Sequence, residues 1–203
     1  MTLIGKTGFK LGITGGIGSG KTSVCRVFTV LRIPVFSADR EANYIMENES
    51  IIQDKLNSIT GQDLYANGIL NRQALASIIF NDKTILKKVN ALVHPFVFDN
   101  FRKWSAEQTS PYVIMEAAIL FESGAADYVD KVATVVAPAD QRVERVIRRN
   151  KLTKEQVMDR MRNQMGDETR ISLSDYIIYN SENDMVIPAV LKIHQEILTF
   201  INL

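Results

Sequence analysis

Cysteine is scarce in this chain, and charge of one sign is not in excess. Cys25 is the single cysteine among 203 residues, which excludes an intrachain disulfide and a zinc site built from several cysteines. Such cysteine usage is typical of proteins that work in the reducing cytoplasm. The 24 Lys and Arg residues against 23 Asp and Glu give a net charge of +1. That balance gives no whole-protein reason to expect binding to nucleic acid or to an anionic membrane surface.

The sequence also lacks long apolar runs, repeats and linker-like stretches. No apolar run reaches the length of a membrane-spanning helix, and Lys6, Lys10 and several glycines interrupt the N-terminus where a signal peptide would be apolar. The hydrophobic fraction of 46% and the charged fraction of 23% are typical of soluble globular proteins. We therefore expect a cytoplasmic protein with one core, alone or with inserted subdomains. The oligomeric state stays open, with a monomer favoured.

Apolar runs alternate with helical spacings along the chain. They predict strands at 9–14, 33–37, 112–115, 132–136 and 176–179, and helices at 19–31, from about 154, and at 186–200. The block from 38 to about 104 has helical stripes and no clear strand, which indicates a helical insertion. Strands that alternate with helices predict an α/β fold with a parallel sheet covered on both faces.

Three local signals predict where helices begin. Asn71 is placed as an N-cap before an apolar stripe, and Thr153 with Gln156 three residues later forms a capping-box pattern. Pro95, after His94, is expected at the first position of a helix, where proline is well tolerated.

The glycine-rich segment after the first strand carries the strongest functional signal. Residues 15–22, Gly-Gly-Ile-Gly-Ser-Gly-Lys-Thr, fit the pattern G-x-x-x-x-G-K-[ST] between a predicted strand and a predicted helix. Such a loop curls so that backbone amides point at phosphate oxygens, and the helix adds its positive end. Lys21 is expected to reach the β and γ phosphates, and the hydroxyl of Thr22 to bind Mg²⁺. We predict nucleotide contacts from Gly15, Gly16, Gly18, Ser19, Gly20, Lys21, Thr22 and Ser23.

Two carboxylates follow predicted strands. Glu116 ends an apolar strand, where P-loop enzymes place an acid that holds the Mg²⁺ hydration shell; the alternative is a solvent-exposed loop residue. Asp39 follows the second strand, and ligands of open α/β sheets bind outside the carboxyl ends of strands. It is therefore expected to face the phosphate loop from the acceptor side, although an N-cap role for the next helix is an alternative.

A basic segment lies in the second half of the chain. Residues 142–170 carry nine Lys and Arg against five Asp and Glu, a net charge of +4, which leaves −3 for the remainder. This asymmetry suits a lid over a triphosphate. A solvated helix face is the alternative for most of these charges, and no aromatic residues interleave with the arginines as in single-strand binding proteins.

Taken together, these segments resemble the dephospho-CoA kinase family along essentially the whole chain. The resemblance is carried by Gly12 to Thr22, Ser37-Ala-Asp39, Leu70-Asn-Arg72, Leu92-Val-His94-Pro95, Ile119-Leu-Phe-Glu122, the basic segment with Arg145, Arg149 and Gln164, and Tyr176 to Asn180. The chain departs from the family pattern at Glu116, Ala118, Asn150 and Tyr179, where the family has Asp, Pro, Asp and Asp.

The resemblance implies a P-loop kinase that phosphorylates the ribose 3′-hydroxyl of dephospho-CoA with ATP and Mg²⁺, the last step of coenzyme A biosynthesis. It implies a P-loop NTPase fold with a five-stranded parallel sheet: a core at about 8–38, 110–140 and 171–203, a helical substrate insertion at about 39–109 and a lid at about 141–170. By resemblance, Lys21, Asp39 and Arg149 are catalytic, Arg145 and Asn180 bind nucleotide, Thr22 and Glu116 hold the metal, and Asp39, Arg72, His94, Leu120 and Glu122 bind substrate.

Two other functions fit the same loop. A P-loop kinase for another nucleoside or nucleotide would share the core, and the helical block from 38 to 104 is the feature that favours a CoA substrate. A nucleotide-sensing interaction protein would bind ATP with little transfer. Asp39 together with an intact Lys21-Thr22 pair argues against that second alternative.

Overall fold

A computed structural model describes residues 8–150 and 152–201. Lys151 of the basic segment and the last two residues of the predicted core lie outside this range. In chain order, the described elements are β1 (Phe9–Thr14), α1 (Lys21–Val30), β2 (Val35–Ser37), α2 (Ala38–Asn48), α3 (Ser50–Thr60), β3 (Tyr65–Ala66), β4 (Ile69–Leu70), α4 (Arg72–Asn81), α5 (Lys83–Ala106), β5 (Tyr112–Glu116), a 3-10 turn (Ala125–Tyr128), β6 (Lys131–Val136), α6 (Ala139–Asn150), α7 (Lys154–Arg162), α8 (Asp167–Ser172), β7 (Tyr176–Tyr179) and α9 (Val186–Ile201).

The main sheet confirms the predicted parallel α/β fold. Its strand order is β2-β5-β1-β6-β7, and every neighbouring pair is parallel. Glu116 at the end of β5 is in register with Ser37 of β2 and with Ile13 of β1. Parallel strands bring their carboxyl ends to one edge of a sheet, so the segments that follow β1, β2 and β5 begin at the same edge.

The strands of this sheet are apolar because helices cover them. Leu11, Ile13, Ile114 and Ala133 have no exposed surface, as expected for strands that are buried on both faces. Helices α1 and α9 pack against the same core through their apolar stripes. Cys25 belongs to the apolar stripe of α1 and is buried. Burial of this apolar surface supplies the main free energy that holds the sheet and helices together.

The chain divides into two compact units. The first comprises the described residues up to Ser37 and from Trp104 onward, and the second is Ala38–Lys103. Within the second unit, α2 packs on α3 and on β4. Its interior includes Ile45, Ile52, Leu56, Leu64, Leu70 and Leu75, all of them buried.

The second unit corrects two sequence predictions. It contains an antiparallel hairpin, β3 with β4, where no strand was expected. The turn residues Asn67 and Gly68 have φ of 53° and 76°, the left-handed conformation that an Asn-Gly hairpin turn requires. Pro95 does not begin a helix but lies inside α5, which runs through it. Proline removes one helical hydrogen bond, and the rest of a 24-residue helix with one buried face tolerates that loss.

Some helix and strand boundaries differ by a few residues from the predicted ones. α1 begins at Lys21 rather than Ser19, because Gly20 has φ of 97° and serves as the N-cap. β2 is confined to Val35–Ser37. The Asn71 cap and the Thr153–Gln156 capping box are confirmed by their side-chain hydrogen bonds.

No helix in the part of the chain that the structure describes combines the length and the apolar character that crossing a membrane requires.

Candidate active site

The loop between β1 and α1 needs glycine for two separate reasons. Gly18 and Gly20 have φ of 79° and 97°, a region that residues with a Cβ rarely adopt. At Gly20, a Cβ would also lie 2.0 Å from the side-chain nitrogen of Asn180, and at Gly18 it would lie 2.5 Å from the carbonyl oxygen of Arg142. The tight curl of the loop and its close walls therefore both depend on these glycines.

Protein donors bind the carbonyl oxygens of this loop. The ammonium of Lys21 donates to the carbonyl of Gly15 at 2.7 Å, and the amide of Asn180 donates to that of Ser19 at 2.7 Å. The backbone amide of Ser19 donates to Gly16 at 3.1 Å. P-loops turn their carbonyls toward the protein in this way and their amides toward phosphate. Since α1 begins at Lys21, its positive end lies at the same loop.

Thr22 and Glu116, the two residues expected at the metal, are in contact. The Thr22 hydroxyl donates to Oε1 of Glu116 at 3.0 Å, and Glu116 is half-buried at the end of β5. A hydroxyl and a carboxylate are oxygen ligands of the kind that Mg²⁺ prefers, so this donor set fits the ion. Burial raises the pKa of the nearby Cys25 thiol, the negative charge of Glu116 raises it further, and the positive charge of Lys21 opposes both, so the thiol remains protonated.

The remaining predicted residues of the first unit occupy different surroundings. Arg145, in α6, donates to Gln141 at 3.3 Å, and its other terminal nitrogen is buried with no hydrogen-bond partner among the described residues. Arg149 is exposed in the last turn of the same helix. Leu120 has no exposed surface and packs toward Gly12. Oε1 of Glu122 accepts from the backbone amide of Met165 at 3.0 Å. The structure thus places Leu120 in the core and Glu122 at 3.9 Å from the buried guanidinium of Arg170.

Asp39, Arg72 and His94 belong to the second unit. Asp39 is exposed in the first turn of α2; α2 begins at Ala38, so Asp39 is not the N-cap that was considered as an alternative. Burial lowers the pKa of His94, and the charge of Asp39 partly opposes that effect. The guanidinium of Arg72 donates to Glu47 at 2.9 and 3.0 Å and to Asn43 at 2.8 Å.

Sequence reasoning missed two buried arginines of the basic segment. Arg142 and Arg170 are 4% and 0% exposed, and both donate to the carboxylate of Asp167. Both arginines were counted only as charges of the basic segment, and their burial was not predicted from the sequence. Their sequence signal is weak because charged residues on a helix are usually solvated. The one available hint was the position of Arg142 between the helix start and apolar Val143.

Comparison with known proteins decides which kind of P-loop protein this is. The model of the family described as dephospho-CoA kinase matches residues 9–185. A dephospho-CoA kinase of Bacteroides fragilis (strain YCH46) is 39% identical over 185 residues, which covers 91% of this chain and 90% of that protein. The chain belongs to the dephospho-CoA kinase family. It is accordingly a kinase, and the family's P-loop fold agrees with the parallel sheet described above.

Solved structures support the same assignment of fold. TT1252 from Thermus thermophilus superposes with a TM-score of 0.80 at 30% identity and covers 95% of this chain and 97% of its own. A dephospho-CoA kinase from Campylobacter jejuni has a TM-score of 0.68 at 24% identity, with 94% and 98% covered. At that identity, the second likeness concerns the fold alone. Both structures therefore share the overall fold of this chain.

Proposed function

We propose that this protein transfers the γ-phosphoryl group of ATP to the ribose 3′-hydroxyl of dephospho-CoA. The products are coenzyme A and ADP, in the last step of coenzyme A biosynthesis. The observation that carries the proposal is the contact of Thr22 with Glu116 beside a P-loop of the required backbone geometry, in a chain of the dephospho-CoA kinase family. The low cysteine content supports the cytoplasm as its compartment.

The P-loop side of the site would bind the triphosphate. Gly15, Gly16, Gly18, Ser19 and Gly20 would offer backbone amides, with Thr22 and Ser23 at the positive end of α1. Lys21 is held beside the loop by the Gly15 carbonyl and would neutralise charge on the β and γ phosphates. Arg145 and Arg149, on one helix, would place guanidinium groups on phosphate oxygens, which they can bridge in pairs. Asn180 would fix the loop backbone through its bond to Ser19.

Asp39 would orient the acceptor. A ribose hydroxyl is a poor nucleophile near neutral pH and must be aimed in line with the γ-phosphorus. As its oxygen bonds to phosphorus, the bond from phosphorus to the β–γ bridging oxygen breaks, ADP leaves, and the hydroxyl proton passes to the Asp39 carboxylate. Arg72 and His94 would bind the rest of dephospho-CoA within a substrate insertion at about 39–109, and a lid at about 141–170 would cover the triphosphate.

Thr22 and Glu116 would hold Mg²⁺, because their oxygens are already paired at 3.0 Å. When bound, the ion would neutralise charge on the β and γ phosphate oxygens. The hydroxyl of Thr22 would serve as a ligand, and the carboxylate of Glu116 would accept hydrogen bonds from the ion's water.

An acceptor panel tests the proposal. ADP release is measured with ATP, Mg²⁺ and, in separate reactions, dephospho-CoA, the common nucleosides and the nucleoside monophosphates. We expect turnover with dephospho-CoA to exceed that with any other acceptor by at least about a hundredfold, because the whole of dephospho-CoA contributes binding energy in the transition state. Mass spectrometry of the product then locates the new phosphate on the 3′-oxygen.

Two results would contradict the proposal. Turnover with another acceptor alone would indicate a different small-molecule kinase. Slow ATP hydrolysis that no acceptor changes would indicate a nucleotide-binding protein without this transferase activity. A reaction without protein and one with EDTA serve as controls.

A further inference from the structure

Both backbone polar groups of one P-loop residue are held by side chains from the distant basic segment. The amide of Ile17 donates to Oε1 of Gln164 at 2.8 Å, and its carbonyl accepts from Nε of Arg142 at 2.9 Å. These partners lie 147 and 125 residues away along the chain. A loop backbone usually satisfies such groups with water or with neighbouring residues, so the arrangement is a specific long-range restraint.

Arg142 also forms the wall of the loop. A Cβ at Gly16 would lie 2.1 Å from a terminal nitrogen of the guanidinium, and a Cβ at Gly18 would lie 2.5 Å from the Arg142 carbonyl oxygen. The Ile17 side chain packs against Val143, Val146 and Val157 of α6 and α7. The apex of the loop is therefore fixed through its amide, its carbonyl and its side chain.

A buried ion cluster holds Arg142 in this position. Its guanidinium donates to one oxygen of Asp167 at 2.5 Å, and Arg170 donates to the other at 2.7 Å. Arg170 also donates to the Met165 carbonyl at 2.7 Å and lies 3.9 Å from Glu122. Two cations thus share two carboxylates, and a buried charge in such a cluster is costly to leave unpaired. The cluster gives Arg142 a single orientation.

We propose that Arg142 and Gln164 are positioning residues that hold the P-loop in its phosphate-binding shape through Ile17. The inference rests on the proposed use of this loop for ATP. In the absence of the two side-chain bonds, the loop backbone would have to be ordered when the triphosphate binds. That ordering costs conformational entropy, which would appear as weaker ATP binding. The acceptor site would not be affected.

The test compares Gln164→Met and Arg142→Lys with matched controls. Met keeps the length of Gln but cannot accept from the Ile17 amide, and Lys keeps the charge near Asp167 but loses Nε. Gln195→Met and Arg26→Lys make the same changes at exposed positions of α9 and α1. ATP affinity is measured by calorimetry on the full chain without acceptor, together with the KM for ATP, the KM for dephospho-CoA and the melting temperature.

We expect Gln164→Met to raise the ATP Kd by about three- to tenfold, and Arg142→Lys to raise it by about tenfold or more. The KM for ATP should rise by a similar factor, while the KM for dephospho-CoA should stay within about twofold of its original value. In both control variants, the ATP Kd and the KM for ATP should also stay within about twofold. Since both residues act on Ile17, the double variant should raise the ATP Kd by less than the product of the two single increases. A lower melting temperature with an unchanged ATP Kd would mean a purely structural role and would overturn the inference.

A measurement on the unaltered protein covers the case in which a variant fails to fold. In hydrogen exchange followed by NMR without nucleotide, the Ile17 amide should exchange at least about a hundredfold more slowly than an unprotected amide. Exchange at the unprotected rate would overturn the inference. Because ATP binding is measured without acceptor, failure to phosphorylate dephospho-CoA would count against the proposed function and leave this inference standing.

Discussion

Single side chains of this protein carry roles that depend on their immediate partners. Lys21 bonds to the Gly15 carbonyl at 2.7 Å, and the Thr22 hydroxyl bonds to Glu116 at 3.0 Å. Both contacts hold polar atoms at the end of the P-loop rather than stabilise the apolar core. Substitution of Lys21, and likewise of the exposed Asp39, should therefore lower activity without lowering stability.

Lys21→Ala should abolish phosphate transfer and leave the fold intact. The ammonium would stabilise charge on the phosphates, and loss of such a group costs several kcal/mol of barrier, or about a hundredfold or more in rate. Turnover of ATP with dephospho-CoA and the melting temperature are measured together. Lys192→Ala, at an exposed lysine of α9, is the control and should keep full activity. Near-normal turnover by the folded Lys21 variant would contradict the proposed role.

Asp39→Asn should leave ATP affinity and stability nearly unchanged and lower the transfer rate by roughly a hundredfold or more. The amide keeps the size of the carboxylate but cannot take the ribose proton. Asp54→Asn makes the same change at an exposed position of α3 and should have no effect on rate. If Asp39→Asn instead retains the original rate, another acid such as Glu116 or Glu122 must serve the hydroxyl.

His94 should titrate below the ordinary histidine pKa of about 6.5, because burial outweighs the attraction of Asp39. The folded state then binds fewer protons than the unfolded state as pH falls through that range, so stability declines on acidification. Ring resonances followed by NMR give the pKa directly. Urea unfolding at pH 7.5 and 5 should show a smaller loss for His94→Gln than for the original protein. Titration of His94 above 6.5 would refute this assignment.

At the scale of elements, local turn chemistry decides where helices and strands meet. The hairpin of β3 and β4 turns through Asn67 and Gly68, both in the left-handed region. α7 begins at a complete capping box, and α1 begins directly after Gly20. Each of these junctions depends on one or two residues, so its contribution to the free energy of unfolding can be measured with a single substitution.

Gly68→Ala should destabilise the protein by about 1 kcal/mol. A Cβ at this position meets no atom within 4 Å, but φ is 76°, so the cost comes from the backbone alone. Gly166→Ala is the control, since its surroundings are equally open and its φ is −62°; because Gly166 is the N-cap of α8, where alanine is less favourable than glycine, it should cost only about 0.5 kcal/mol. Chemical unfolding of both variants checks the prediction, and equal effects would contradict it.

At the scale of the whole molecule, the parallel sheet gathers residues that are far apart in sequence. Glu116 reaches Thr22 because β5 pairs with β1, and Asn180 reaches Ser19 because β7 ends at the same edge. A nucleotide bound at this edge, as we propose, would contact the segments after β1 and after β7. It should therefore stabilise the folded molecule as a whole.

ATP with Mg²⁺ at about 100 times its Kd should raise the free energy of unfolding by about 2.7 kcal/mol. For a chain of this size, that corresponds to an increase of roughly 5–11 °C in melting temperature. Circular dichroism on heating measures the shift, and adenosine, which lacks phosphates, is the control and should give almost none. An equal shift with adenosine would mean that the phosphate loop contributes little to nucleotide binding.

The sequence by itself determined the features that depend on local patterns. The P-loop, the strands at 9–14 and 176–179, the Asn71 cap and the capping box at Thr153 were all predictable, because the physical cause of each lies within a few neighbouring residues. The Asn67-Gly68 pair is also a local signal, because this dipeptide favours a hairpin turn. The helical stripes on either side of it favoured a helical interpretation of the whole block. Acids at strand ends could be expected at one edge, since parallel topology brings those ends together.

Only the tertiary structure decided which charged residues are buried and which helix tolerates a proline. Arg142 and Arg170 belong to a basic segment, yet both are buried, because Asp167 and the Ile17 carbonyl compensate their charge. Those partners come from positions 3 to 125 residues away, and the contact of Arg142 with Ile17 leaves no trace in local periodicity. Pro95 likewise stays inside α5 because the packing of that helix outweighs one lost hydrogen bond. Burial and long-range pairing are properties of the folded chain, so they cannot be computed from neighbouring residues alone.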